Sequence, residues 1–212
     1  MKFKYLVTYF LITHCLIFYG QSTKSKKSFR VYDGRMVIEA SIFYRKMLNI
    51  NSYGWNLAVK GYLSKRIITG LTINDSKWYF DKPYLYKTDT ILDASLGFIS
   101  YGWINEYSLI KKDLFRINLT INNALGIASL KNERKRVLGF SSKIGTEPAI
   151  VARNIYYIIE PGIDIWIGLS KKQPLYLDLK SKYMLVNGIS YFSSSSQFSN
   201  FTFGIGLIFL GK

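Results

Sequence analysis

Glu160 and Asp164 are the two carboxylates in this chain whose spacing most invites a chemical reading, standing either side of Pro161-Gly162-Ile163. A paired acid and base of the glycosidase kind needs carboxyl groups within about 10 Å of each other. The two acids fall in a run of alternating apolar and polar residues, where four strand positions separate them by roughly 13 Å. That distance excludes the pair chemistry. Charge pairing with Lys180, Lys182 or Arg116 on neighbouring strands is the alternative that such a face allows. Pro161 removes a ladder donor, which predicts a bulge between the acids and makes this stretch the leading site candidate.

Other chemistries are limited by two residue types. His14 is the only histidine and Cys15 the only cysteine. Both lie in a segment that reads as a secretory signal: Lys2 and Lys4, then an apolar stretch from Tyr5 to Gly20, then the polar Gln21 to Ser28. Sixteen residues are fewer than the roughly 20 that a membrane helix requires. With residues 1–20 removed, thiol nucleophiles, histidine-based triads, Cys/His zinc sites and disulfides are all excluded. No metal and no cofactor is expected. Residues 21–33 are expected to form a short periplasmic segment, with one domain over 34–212.

The elements that must position the remaining residues follow from a period-two pattern. Phe201, Phe203, Ile205, Leu207 and Phe209 alternate with Thr202, Gly204, Gly206 and Ile208. The same two faces recur upstream, with Ile155 to Ile167 against Asn154, Glu160, Gly162 and Asp164. They recur again with Phe115 to Ile121 against Arg116 to Asn122, and with Met36 to Tyr44 against Glu39 and Ser41. Such runs predict strands over 34–44, 54–64, 65–74, 90–107, 114–127, 153–168, 175–186 and 199–210. Trp78-Tyr79-Phe80 extends the third beyond Asn74, and Ser100 to Gly102 is expected to hold a bulge in the fourth. Tight joints carry cation pairs, Lys65-Arg66, Lys111-Lys112 and Lys171-Lys172, whereas the gaps around 75–89, 128–153 and 187–199 are long and polar. Short turns on one rim and long loops on the other are the pattern of a barrel spanning a membrane.

Three features decide which face points outward. Eight strands enclose only enough room for side chains, and filling it with the bulky Ile, Leu and Phe face would overpack it, so small and polar residues are expected inside. The polar face carries both signs, Glu39, Lys60, Asp93, Arg116, Glu160, Asp164, Asp178, Lys180 and Lys182, which are expected to form an interior network. Many of the 17 Tyr and 4 Trp fall near strand ends, among them Tyr53, Trp55, Trp103, Tyr107, Trp166, Tyr183 and Tyr191, as interface girdles do. The expected fold is therefore all-β: an eight-stranded antiparallel up-and-down transmembrane β-barrel preceded by a signal peptide.

The closing Phe203-Gly204-Ile205-Gly206-Leu207-Ile208-Phe209 resembles the final strand of bacterial outer-membrane barrels, although Leu210-Gly211-Lys212 follow it. Tyr101-Gly102-Trp103 to Glu106-Tyr107, the hairpin to Leu119 and Ile159-Glu160-Pro161-Gly162-Ile163-Asp164 together resemble small outer-membrane barrel proteins of Bacteroidota-type bacteria, of the OmpA/OmpX-like eight-stranded kind. The resemblance implies an outer-membrane location, a terminal aromatic read by the barrel-assembly machinery, and no established reaction.

Ser52-Tyr53-Gly54-Trp55 and Ser100-Tyr101-Gly102-Trp103 repeat four letters, which suits interface aromatics with a bend-permitting glycine better than a lipocalin motif. Net charge falls from +16 to +14 when Lys2 and Lys4 leave, and no nucleic-acid motif accompanies it. Outer-membrane lipid and lipopolysaccharide are the expected partners, with Lys131, Arg134, Lys135 and Arg136, beside Lys143, as an anionic contact on a long loop. The expected function is a non-enzymatic barrel with a filled lumen that displays loops for structural, recognition or adhesion roles. The alternatives are a soluble lipocalin-like barrel binding a small apolar ligand and a membrane-embedded lipid-modifying enzyme.

Overall fold

Alternating β-branched or aromatic residues with small polar ones fits a pleated surface with two different faces, and the chain forms strands wherever that alternation runs. A computed structural model describes residues 36–48, 50–112, 114–138, 146–169, 174–189 and 191–211. The expected signal and periplasmic segment, His14, Cys15, Lys143 and the Lys171-Lys172 joint lie outside the described residues. Ten strands form: β1 (Met36–Met47), β2 (Ile50–Tyr62), β3 (Ile67–Tyr79), β4 (Tyr84–Tyr86), β5 (Asp89–Ile91), β6 (Ala94–Lys112), β7 (Phe115–Leu138), β8 (Thr146–Gly168), β9 (Leu175–Ile189) and β10 (Asn200–Leu210).

Eight of them close an antiparallel barrel in the order β1-β10-β9-β8-β7-β6-β3-β2, while β4 and β5 make a separate small hairpin. Closure runs through nine register positions, from Val37 opposite Leu210 to Arg45 opposite Thr202, so neither edge of the sheet is left open. The eight-stranded all-β barrel is as the alternation predicts.

Connections differ from expectation in two ways. The first joint on the long-loop rim is tight, because Leu48 takes a left-handed conformation (φ 51°) between β1 and β2. The gap expected over 128–153 is largely strand: beyond Asn132, where β6 stops pairing, β7 and β8 continue as a two-stranded hairpin to Leu138 opposite Thr146. Two register shifts, at Leu130/Lys131 and Asn132/Arg136, accompany its departure from the wall.

The expected bulges are corrected. Pairing is continuous through Ser100 to Gly102 on both sides, and the irregularity in β6 lies at Ser108/Ile110 instead. Around Pro161 the ladder to β9 lapses, as a missing N–H requires, but Ile159 opposite Leu185 and Gly162 opposite Lys182 keep one register. Pro161 points outward, so no extra residue is inserted and both acids stay on the inner face.

Outward positions are the large apolar ones, with Phe201, Phe203, Ile205, Leu207 and Phe209 all about half exposed to the surroundings of the barrel. Inward positions are graded by depth. At the long-loop end Met47, Trp78, Leu96, Phe98, Leu130, Tyr156, Ile158 and Met184 form an apolar cluster. At the tight-turn end Val37, Tyr62, Ile68, Trp166, Tyr176, Ile208 and Leu210 form another. The lumen is thus closed by mainly apolar side chains at both ends, with Arg45 among the upper ones and Arg116 among the lower, a correction to the expectation of a small or polar interior throughout. Trp166 belongs here rather than to a girdle, since its side chain is wholly buried inside the wall.

The two copies of Ser-Tyr-Gly-Trp follow from space. Their Tyr and Trp residues point outward and their glycines inward. A Cβ at Gly54 would meet the Phe43 ring at 2.5 Å and Ser76 Cβ at 2.7 Å, and one at Gly102 would meet Ala124 Cβ at 2.8 Å.

Candidate functional site

The middle of the lumen gathers the charges. Lys60 on β2 donates to Glu39 on β1 and to Glu106 on β6, and all three side chains are wholly buried. Lys180 on β9 pairs with Glu39 and, at 3.1 Å, with Asp178 on its own strand. Lys182 stands 3.9 Å from Asp164 on β8. Because inward residues of adjacent strands fall at one height, one carboxylate can bridge two ammonium groups, as Glu39 does.

Arg116 has a different partner set from the expected one. Its guanidinium donates to the hydroxyls of Tyr62 and Tyr176, the latter at 3.4 Å, and lies 5.4 Å from the Trp166 ring centre and 5.1 Å from that of Tyr176. Glu160 accepts a hydrogen bond from Asn122 at 2.8 Å and, among the described residues, makes no ion pair within 4 Å. It sits above the lysine layer, two inward positions along β8 from Asp164.

Asp93 is not part of the interior. It follows β5 on the long-loop rim, where its exposed carboxylate pairs with Arg134. Its position beyond the last strand of the small hairpin removes it from the alternating face on which the other acids fall.

Two interior charges escape the sequence reading. Glu106 shares the inward parity of Ser100 and Ile104 within the strand predicted over 90–107, and Arg45 continues the Glu39, Ser41, Phe43 row one residue past the strand predicted over 34–44, so parity alone finds the first and a one-residue extension the second. Arg45 donates to Ser76 Oγ at 2.6 Å and lies between the rings of Phe43 and Phe98, at 4.6 and 4.8 Å from their centres. Among the described residues the inner face then holds Glu39, Glu106, Glu160, Asp164 and Asp178 against Arg45, Lys60, Arg116, Lys180 and Lys182, five of each sign. A polar ladder, Ser41 to Asn56 at 3.3 Å, Asn56 to Thr72 at 2.6 Å and to Asn74 at 2.8 Å, and Asn74 to Ser100 at 3.2 Å, crosses the lumen wall beside it.

Carboxylate oxygens of Glu39, Asp164 and Asp178 lie within 4.8 Å of one another, a spacing that suits a cation. Lys60, Lys180 and Lys182 already supply the positive charge there. What the arrangement does chemically is neutralise itself: each acid faces a cation or an amide, and both ends of the layer are stopped by apolar side chains.

The long-loop mouth is capped. Phe198, on a single 3₁₀ turn over Ser195–Phe198, descends into the upper cluster, with its ring centre 5.0 Å from Tyr156 and 6.1 Å from Phe98. The Tyr84 hydroxyl donates to the Phe192 carbonyl at 2.6 Å, and the Leu48 amide to the Gln197 carbonyl at 3.0 Å. Three connections are therefore tied over the opening.

The basic residues of the rim sit on the projecting β7–β8 hairpin rather than on a loop. Arg134, Lys135 and Arg136 are exposed and Lys131 is half-buried. Arg134 is taken by Asp93, and Arg136 donates to the Thr146 carbonyl at 3.4 Å. Glu133 pairs with Lys77 at 3.0 Å and accepts from the Ser95 hydroxyl. Partial burial alone would raise the Glu133 carboxyl, but the Ser95 hydrogen bond and Lys77 outweigh it and hold the group below its ordinary range.

No family model matches this chain, and no curated protein matches it. Among solved structures it is similar to a major outer membrane protein of Thermus thermophilus, with a TM-score of 0.50 and 11% identity over 84% of this chain and 98% of that one. Ail of Yersinia pestis aligns with a TM-score of 0.48 and 10% identity over 84% and 97% of the two chains. Neisserial surface protein A aligns with 0.48 and 12% over 82% and 95%. At these identities the likeness is one of fold, and the fold is that of an outer-membrane β-barrel.

Proposed function

We propose that this protein is a non-enzymatic outer-membrane barrel that spans the bilayer with a filled lumen and presents its long-loop rim at the cell surface for structural or recognition roles. The observation that carries the reading is the outer face. Every wall strand turns large apolar side chains outward at mid-height, for example Ile42, Val59, Leu71, Tyr101, Leu125, Ile163, Leu179 and Leu207. A soluble protein rarely exposes an apolar patch beyond a few hundred Å², and here the band encircles the molecule. A lipocalin-like barrel has the opposite polarity, with its apolar face enclosing a ligand.

An enzyme reading meets a chemical obstacle. With His14 and Cys15 both upstream of the barrel, a reaction on the barrel itself has only carboxylate, lysine, tyrosine and serine to use. Four of the five buried carboxylates are countered by lysines and Glu160 by the Asn122 amide, and the two apolar clusters separate them from either rim.

Residues 1–20 serve as the export signal in this reading, residues 21–33 as a periplasmic lead, and Phe209 as the terminal aromatic offered to the assembly machinery. Lys135 and Arg136, exposed and without a carboxylate partner among the described residues, carry contacts to lipopolysaccharide or acidic glycans, with Lys131 and Arg134 beside them. Fractionation tests the whole: the protein is expected in the detergent-extracted outer membrane, starting near residue 21 and migrating faster on gels unheated than boiled. Recovery from the soluble periplasm with unchanged mobility would refute it.

A further inference from the structure

Three depressions on the outside of the wall join along β1. The lowest, about 560 Å³, lies over Ala40, whose methyl group sits between Leu57 and Leu207 in the register of β2 and β10 and leaves a trough between them. The next, about 660 Å³, is lined by Tyr44, Tyr53 and Phe203 and shares Ile42, Trp55 and Ile205 with the first. The third, about 550 Å³, shares Tyr53 with the second and is polar, lined by Lys46, Asn51, Lys77, Tyr79 and Asp81.

The length of the track has a physical counterpart. Six strand residues separate Ala40 from Lys46, which is roughly 20 Å along the strand and, at a tilt of about 40°, roughly 15 Å of depth. That is half of a hydrocarbon core of about 30 Å, so the track covers one leaflet. It opens at the long-loop rim and ends near mid-depth.

The polar end offers an anion one unpaired cation, Lys46, beside a paired one, Lys77. Lys46 is exposed and makes no ion pair among the described residues. The Lys77 ammonium lies 4.6 Å from the Tyr79 ring centre and 3.0 Å from Glu133, which fixes it beside the cleft. Asp81 in the same cleft would repel a bare phosphate but can accept from sugar hydroxyls. Tyr53 and Tyr79, 68% and 59% exposed, offer flat faces to a sugar ring.

From this grading of apolar track into a lysine-bearing cleft that can also accept from hydroxyls, we infer that the β1–β2–β3 face binds one phosphorylated, acylated glycolipid of the outer leaflet. One acyl chain lies in the trough over Ala40, and a sugar phosphate sits between Lys46 and Lys77. The inference rests on the membrane reading above and adds to it a defined lipid site, which touches the β7–β8 hairpin only through the Lys77–Glu133 pair.

The test uses the full-length mature barrel, folded in detergent and titrated with bisphosphorylated hexa-acyl lipid A, with bound lipid counted by native mass spectrometry. About one lipid A per barrel is expected to survive detergent exchange. Lys46→Ala with Lys77→Ala, and separately Ala40→Phe, which fills the trough from outside, are each expected to weaken retention at least tenfold with heat-modifiable mobility unchanged. Dephosphorylated lipid A is expected to lose as much as the lysine variant. Equal retention by the wild type and both variants, or equal retention of phosphatidylglycerol, would overturn the site. Absence of binding by a barrel that inserts into vesicles would overturn the site and leave the membrane reading standing, whereas failure to insert at all would remove both.

Discussion

Replacing Lys60 by Met isolates the contribution of the interior charge layer. Lys60 is wholly buried and bonded to both Glu39 and Glu106. Without it Glu39 keeps Lys180, but Glu106 keeps no cation within 4 Å among the described residues, and the balance of five against five becomes five against four. Met preserves the length of the stem and its packing beside Trp166, whose ring centre is 5.5 Å from the lost ammonium. The cost is then mainly that of a stranded buried carboxylate, about 3–5 kcal/mol. The folding equilibrium should shift by about two to four powers of ten. Adding Glu106→Gln removes the stranded charge and restores the balance, so the double variant is expected within about 2 kcal/mol of the wild type. Urea titration of the barrel in detergent reads both, scoring the folded fraction by gel mobility and by tryptophan fluorescence. A single variant as stable as the wild type would show that Glu106 is solvated. A double variant as unstable as the single would show that the two residues are not coupled, and either result refutes the layer as a paired network.

Other expectations follow from the same geometry. Ile205→Arg places a charge on the outer face near mid-depth and is expected to cost about 2–4 kcal/mol and lower assembled yield, measured by the heat-modifiable fraction. In planar bilayers the purified barrel is expected to give no steady conductance, because the charged layer lies between two apolar clusters and Phe198 caps the upper one. Reproducible open-channel steps would contradict this. The Glu133 carboxyl is held below its ordinary range, so its ties to Lys77 and Ser95 are intact above the usual glutamate range and are lost as pH falls through the lowered value. Amide exchange in the β7–β8 hairpin is expected to quicken on acidification to that range, and Glu133→Gln is expected to quicken it already at neutral pH.

Period-two alternation was enough to read the barrel from the chain, because each strand has one face in apolar surroundings and one in the lumen, and that demand is local. Eight wall strands, their antiparallel order and the outward row from Phe201 to Phe209 all follow from it. Most of the inner charges share that origin, since Glu39, Lys60, Asp164, Asp178 and Lys180 each sit on the parity of their strand. Which charges meet was not legible, because pairing depends on the stagger between strands. The register brings Lys180 to Glu39 across the intervening β10, and leaves Glu160 with Asn122 rather than a lysine. Asp93 was misplaced because a hairpin in the connection broke the alternation before it. Trp166 read as an interface ring because its type suggests a girdle, while its parity, shared with Asp164, puts it inside. The cap made by Phe198, and the trough over Ala40 that leads to Lys46 and Lys77, exist only once the barrel closes. They are built from residues that are distant in sequence, and closure alone brings β1, β2, β3 and β10 onto one side of the wall.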